Sequence, residues 1–352
     1  MFDRLPEDAQ TLYAELLALL LTQEAERDWS HLSGSFTSKI IKGREYVYFQ
    51  YSDPGGVRRQ FSVGPRDRSL DSLTARYAER RQLREADLEQ ISRLAGLLGA
   101  AGAALVPHGP ARVIRALADA GLFRAGGVLI GSYGFLVLGN MLGVRWPGAA
   151  WRTQDIDVAG HLRLAVPYQD TDVPQALDSL EMGFVPVPQL DPNHPSTSFR
   201  VRGKQLRVDL CTPGNENEKE PVFIPRFNAS AAPIRYLSLI IEGAQPVTAI
   251  EGRTATLVVV PAPARYALHK LMVSRRRAAS EHTKTTKDLH QAALLLEVLA
   301  EDRPLDLEQA AKAFAGLGPA VTSKVVTGLD AVTERWPETT RAATVIRPAL
   351  EG

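Results

Sequence analysis

At roughly 100–200 residues per domain, a chain of 352 residues calls for two or three domains, with ample length to bury a core. Hydrophobic residues at 45% and charged residues at 23% exclude a disordered composition. Forty-one basic against forty acidic side chains leave a net charge of +1, so bulk charge marks no nucleic-acid binder; the single Cys211 excludes a disulfide framework and a multi-cysteine zinc site.

The opening MFDRLPEDAQ carries acids where a signal peptide carries bases, and no apolar run reaches the ~18–20 residues of a membrane span. A cytoplasmic chain with no membrane contact is therefore expected. Pro6 to about Trp29 reads as an amphipathic helix, with Leu12, Leu16, Leu19 and Leu20 at helical spacing. From Ser35 to Val63 the period changes to two and a three-stranded meander is expected, rich in Tyr46, Tyr48, Phe49 and Tyr51 and broken by the turn Ser52-Asp53-Pro54-Gly55-Gly56. Ser69 to Gly99 is a charged helix with both signs interleaved, and a further helix falls near Ala111–Ala120. Val128-Leu129-Ile130 is a short apolar strand, Gly131-Ser132 a turn, and Tyr133–Leu142 a helix. Strands are expected at Asp155–Val158, Gln205–Leu210 and Ala255–Val260, and from Ala264 onward the chain is almost wholly helical.

The order strand, Gly131-Ser132, helix, Asp155-Ile156-Asp157, then Arg207-Val208-Asp209-Leu210 carries the chemistry. Residues i and i+2 of a strand share a face, so Asp155 and Asp157 present two carboxylates side by side while Ile156 and Val158 face the core. Clustered carboxylates repel unless a cation lies between them, and hard cations such as Mg²⁺ prefer oxygen. If Asp209 sits on a neighbouring strand, it completes a set able to hold two ions around a phosphoryl displacement. Gly131 lets backbone approach a phosphate, and Ser132 with a helix N-terminus can donate to it. With nineteen aspartates, about one Asp-X-Asp arises by chance, so the order is the signal and the motif alone is not.

This order resembles the nucleotidyltransferase superfamily, whose best-known fold example is DNA polymerase beta. Gly131-Ser132-Tyr133, Leu138-Gly139-Asn140-Met141-Leu142-Gly143-Val144 and Thr153-Gln154-Asp155-Ile156-Asp157 are similar to a bacterial group of nucleotidyltransferase-fold proteins. So are Leu268-His269-Lys270-Leu271 with Arg275, then Lys284, Lys287-Asp288-Leu289 and Gln291-Ala292; toxins of abortive-infection systems share the layout. The resemblance covers roughly Val128 to Leu299. It implies an enzyme that transfers a nucleoside monophosphate from an NTP to a hydroxyl and releases pyrophosphate. Asp155, Asp157 and Asp209 would be the catalytic residues and the ligands of Mg²⁺ or Mn²⁺, two ions in all. Gly131, Ser132, Lys270, Arg275, Lys284 and Lys287 would bind the NTP phosphates, with Thr153 and Asp288 in support. The expected fold is α/β (α+β): a polymerase-beta-like mixed sheet within 119–262, a helical region at 263–352 that completes the cleft, and an N-terminal region at 1–118 carrying the meander at about 35–63. Trp146-Pro147-Gly148 reads as a loop inserted over the site.

Lys284, Lys287, Asp288 and Gln291 fall at i, i+3, i+4 and i+7 of one helix and share a face, which a Lys287–Asp288 neighbour pair on solvent would also explain. Arg275, Arg276 and Arg277 read as a solvated helix end ahead of a phosphate-binding role. On the meander, Lys39, Lys42, Arg44, Arg58 and Arg59 beside aromatics could contact nucleic acid by phosphate and stacking, although strand aromatics are more often packed. Cys211 reads as a small buried residue, His269 as a core histidine, and Trp146 and Trp151 as core-edge plugs or base covers. The acceptor expected is a macromolecule, with an RNA or tRNA 3′ end ahead of a protein side chain. The alternatives are a toxin-type enzyme held by an antitoxin or other regulatory partner, and a non-catalytic module that binds nucleotide or nucleic acid.

Overall fold

The computed structural model describes residues 2–26, 34–52, 58–147, 153, 155–160, 171–215, 218–275 and 282–351. At the N-terminus a short strand β1 (Asp3–Arg4) precedes helix α1 (Glu7–Ala25), which buries Tyr13, Leu16 and Leu20. Strands β2 (Gly34–Ile41), β3 (Arg44–Ser52) and β4 (Arg58–Pro65) form the expected antiparallel meander, in register from Gly34↔Tyr51 to Ile41↔Arg44. Helix α2 (Arg68–Ala100) follows, its N-terminus capped by Asp67, which accepts from the Leu70 amide at 2.8 Å. Tyr77 of α2 packs its ring edge-on against Phe36 at 5.3 Å and Phe49 at 5.5 Å and donates to the Gly34 carbonyl. The central aromatics of the meander are thus largely spent on packing. The C-terminal half of α2 and α1 share a small apolar core of their own, with Leu94, Leu98 and Ile250.

Helix α3 (His108–Asp119) leads into β5 (Val128–Ile130), helix α4 (Gly131–Met141), β6 (Val144–Arg145, paired with β1) and β7 (Asp155–Ala159). After α5 (Val173–Asp178) come β8 (Phe184–Pro186), β9 (Ser198–Val201), β10 (Arg207–Gly214), β11 (Val222–Ile224) and β12 (Ala229–Arg235). These make one mixed sheet in the order β11-β12-β10-β7-β5, with β9 and then β8 continuing from the first half of β10. Strand β7 runs parallel to β10 and antiparallel to β5, and β12 runs parallel to β10. Helix α6 (Ser238–Ile241) and the hairpin of β13 (Gln245–Glu251) and β14 (Thr254–Val260) connect to helices α7 (Pro263–Ser274), α8 (His282–Asp302), α9 (Pro304–Ala315), α10 (Pro319–Arg335) and α11 (Thr340–Glu351). One continuous apolar core runs from Val106 to Leu350, joining the sheet to the C-terminal helices. Among the described residues, no helix is long and apolar enough to cross a membrane.

Several local expectations are corrected. Gly131 and Ser132 do not form a turn ahead of the helix but are its first two residues. Strands β8, β9, β11, β12 and β13 are additional to those expected from the sequence pattern. Trp146 does not cover the site. It is buried, stacks on Phe135 at 4.8 Å and donates to the Phe135 carbonyl at 2.8 Å. A Cβ at Gly139 would lie 2.6 Å from the Trp146 indole nitrogen, which is why the Leu-Gly-Asn stretch needs its glycine. The neighbouring Asn140 side chain pairs with both backbone groups of Ala104, tying α4 to the loop after α2. Gly148 and Trp151 lie outside the described residues.

Candidate active site

Backbone register builds the site. The parallel pairing of β7 and β10 sets Asp157 beside Asp209 and Asp155 beside Arg207. Because alternate residues share a face, all four side chains leave the same side of the sheet, while Ile156, Val158, Val208 and Leu210 are buried on the other. Antiparallel β5 brings Ile130 opposite Asp157, so the following residue, Gly131, meets that carboxylate directly. Gly131 has φ +64, and a Cβ built there would stand 1.9 Å from Asp157 Oδ2. Only glycine allows the carboxylate and the start of α4 to occupy these positions. The Gly131 carbonyl is held in turn by the Tyr266 hydroxyl of α7 at 2.6 Å. Ser132 is buried in the first turn of α4.

The strand ends are braced as well. Thr153 Oγ1 accepts from the Asp155 amide at 3.2 Å, and its carbonyl accepts from the Tyr133 hydroxyl at 3.1 Å. Asp209 Oδ1 accepts from Arg207 Nε at 2.7 Å and from the Ser198 hydroxyl; Arg207 Nη2 also donates to Ser198 Oγ at 2.8 Å.

Electrostatics mark the carboxylates as undercompensated. Burial, then the charges of Asp209 and Asp155, push Asp157 up to about 6, with Lys270 and Lys287 opposing. Burial and Asp209 also raise Asp155, against Arg207, Lys284 and Lys287. The three lysines of α7 and α8 therefore reach the carboxylate field, as their helical spacing suggests. Their own settings differ. Lys270 is buried with its ammonium 3.0 Å from Asp288 Oδ1 and 4.7 Å from the Tyr266 ring centroid. Burial works to lower Lys270, but Asp288 and Tyr266 outweigh it and hold the amine above its ordinary value. Asp288 thus pairs with Lys270 across the helices and also acts on the charge of its sequence neighbour Lys287. Burial and the Lys270 charge lower Lys287. Arg275 is exposed at the C-cap of α7 and, among the described residues, pairs with none of the three aspartates; Arg276 and Arg277 lie outside the described residues.

The donor set suits a hard cation in kind, being three carboxylates from adjacent strands, two of them raised by burial and mutual repulsion. It is not drawn closed: among the described residues, no three His, Cys, Asp or Glu side chains are gathered around one point. Arg207 and Ser198 both donate to one Asp209 oxygen, Oδ1. Arg207, Ser198, Tyr133 and Tyr266 join the site without a role assigned from the sequence. Arg207 was legible, since it lies two residues before Asp209 on the same strand face, whereas Ser198 arrives through a strand pairing that spacing does not reveal. His269 is buried inside α7. Burial, then Asp157 and Asp209, drives the Cys211 thiol well upward, which removes it as a nucleophile.

Residues 108–315 match a family model described as nucleotidyltransferase, more than half of the chain's 352 residues. The chain belongs to the nucleotidyltransferase family. This nucleotidyltransferase therefore has an NTP as substrate and nucleotidyl transfer as its general activity, and enzymes of this kind generally work with divalent metal ions. Among solved structures, an antigenic nucleotidyltransferase-like protein from Paracoccidioides brasiliensis aligns at 13% identity with a TM-score of 0.37, over 66% of this chain and 92% of that one. No curated protein matches the sequence.

Proposed function

We propose that Asp155, Asp157 and Asp209 carry the transfer of a nucleoside monophosphate from an NTP to a hydroxyl of a macromolecule, an RNA 3′ end ahead of a protein side chain. The observation that carries this reading is the β7–β10 register, which gives one sheet face three carboxylates beside a glycine whose missing Cβ leaves room for Asp157. A binding-only module has no physical need for three repelling carboxylates.

Gly131 and Ser132, as the first turn of α4, point backbone donors and a hydroxyl at the terminal phosphates. Tyr266 keeps that turn in place through the Gly131 carbonyl. Lys284 and Lys287 offset the triphosphate charge, and the Lys270–Asp288 pair fixes the helices that carry them. In this reading the segment 263–352 completes the cleft of a catalytic core at 119–262. The acceptor oxygen bonds to the α-phosphorus as the bond to the α–β bridging oxygen breaks, and pyrophosphate leaves with that electron pair. The acceptor's proton passes to Asp209 and on to solvent. When bound at the aspartates, two divalent cations, Mg²⁺ or Mn²⁺, supply a clamp on the phosphate oxygens and offset their charge.

Pyrophosphate release from each of the four NTPs, with Mg²⁺ or Mn²⁺ and total RNA, tests this. The expected result is release from at least one NTP that the Asp155→Asn/Asp157→Asn variant lowers by about 10³-fold. Equal release by the variant, at matched folding, would refute the assignment.

A further inference from the structure

A cleft of about 1260 Å³ opens at Asp155 and extends away from the residues proposed to hold the NTP phosphates. Its walls include Asp155, Tyr133 and Arg207, and it runs to the β9–β10 hairpin and the first residues of α3. Gly131, Ser132, Lys270, Lys284 and Lys287 do not line it. Small-ligand pockets span about 300–1,000 Å³, so this cleft suits a polymer better than a metabolite.

Three independent features make it a place for repeated negative charge. First, Arg200 and Lys204 line it, both are exposed, and among the described residues neither has a carboxylate partner. Second, Arg200 stands directly opposite Arg207 in the antiparallel pairing of β9 with β10. Like charges at directly opposed positions destabilise a sheet, and Asp209 answers only one of the two. An arrangement that costs folding free energy at the mouth of a catalytic site fits a ligand that supplies the missing anions. Third, the N-terminus of α3 at Pro107 borders the same cleft, and no side chain caps it. Pro107 and Pro110 carry no N–H, so the amides of His108 and Gly109 form the positive end beside the row of cations.

We propose that the acceptor is a single-stranded nucleic acid whose phosphates are held by Arg200 and Lys204, so that its terminal hydroxyl passes Asp155 to reach Asp209. This rests on the reading of Asp155, Asp157 and Asp209 as the transfer site, and it moves nucleic-acid binding away from the meander, where composition suggests it. A phosphate every nucleotide matches cations spaced along a hairpin, and an exposed cation keeps its full charge for a ligand.

The test is binding rather than turnover. Fluorescence anisotropy of a labelled 12-nucleotide RNA, and of DNA of the same sequence, is followed against salt in EDTA without NTP. Wild type is compared with Arg200→Ala/Lys204→Ala and with a charge-matched control on the C-terminal helices, Lys324→Ala/Arg341→Ala, each checked for folding by its Tm. The expected result is about tenfold weaker binding in the cleft variant and a log–log salt slope shallower by about 1.4, at about 0.7 for each phosphate no longer neutralised. RNA binding with weaker DNA binding, or the reverse, identifies the acceptor sugar and supports the proposal either way. No binding by wild type, equal binding by the cleft variant, or an equal weakening in the control overturns it, as does capture of a polyglutamate peptide in place of both oligonucleotides. Because neither metal nor NTP is present, failure here leaves the transfer reading standing, and absent pyrophosphate release would leave this binding result standing.

Discussion

The cations on the two sides of the carboxylates differ in how they are held. On the helical side Lys270 is buried, 3.0 Å from Asp288, and lies over the Tyr266 ring. On the hairpin side Arg200 and Lys204 are exposed and meet no carboxylate among the described residues. Removing an ammonium from water costs several kcal/mol, so a buried lysine persists only with a partner, and that partner fixes its place. An exposed cation keeps its hydration and its freedom to meet a ligand. The same charge is thus buried and paired on one side and exposed to solvent on the other. Arg207 stands between, half-buried and spent on Asp209 and Ser198.

The largest effect that can break this comparison is at the buried pair. Lys270→Ala takes the ammonium away from the buried Asp288 carboxylate, and is expected to destabilise the fold by about 3–5 kcal/mol in denaturant unfolding. The double variant Lys270→Met/Asp288→Leu is expected to recover most of that stability. Recovered stability with NTP affinity retained makes Lys270 a fixture; recovered stability with NTP affinity abolished makes it a phosphate ligand.

A smaller effect is expected at Gly131→Ala. The added Cβ collides with Asp157 and the residue is held at φ +64, so a cost of about 1–3 kcal/mol is expected. Calorimetry should also show weaker NTP binding, because the first turn of α4 must shift. Unchanged affinity would place the terminal phosphates elsewhere.

The smallest effect is a pH dependence of the metal-free protein. Asp157 is raised to about 6 from an ordinary carboxylate value of 3.8. Between those values the folded state binds more protons than the unfolded chain, so stability falls as pH rises from about 4 through 6. The Tm of the chelated protein should therefore decline over that window, and Asp157→Asn should flatten the decline. A wild-type Tm that rises through the window, with Asp157→Asn abolishing the rise, would mean that the carboxylate is already compensated.

Much of this was legible in the chain because it rests on local periodicity. The alternation that puts Asp155 and Asp157 on one face, with Ile156 and Val158 in the core, needs only the period of a strand. The long helices and the meander follow from spacing and turn residues. What was not legible depends on pairings far apart in sequence. Asp209 requires β7 and β10 to be neighbours, and Ser198 requires a second strand on the other side of β10. Strands β8, β9 and β11 hold only three or four residues each, too few for a periodic signal, and Pro233 and Pro246 interrupt β12 and β13. Lys270 and Asp288 are eighteen residues apart on separate helices, so no helical spacing links them.

The central claim is that the three aspartates move the α-phosphoryl group of an NTP with its nucleoside. The most direct measurement follows two labels, one on the α-phosphate and one on the γ-phosphate of the same NTP, with wild type and Asp155→Asn/Asp157→Asn. The α label is expected in the macromolecular acceptor, the γ label in pyrophosphate, and neither transfer in the variant. A γ label found on the acceptor, or α label incorporated equally by the variant, would contradict it.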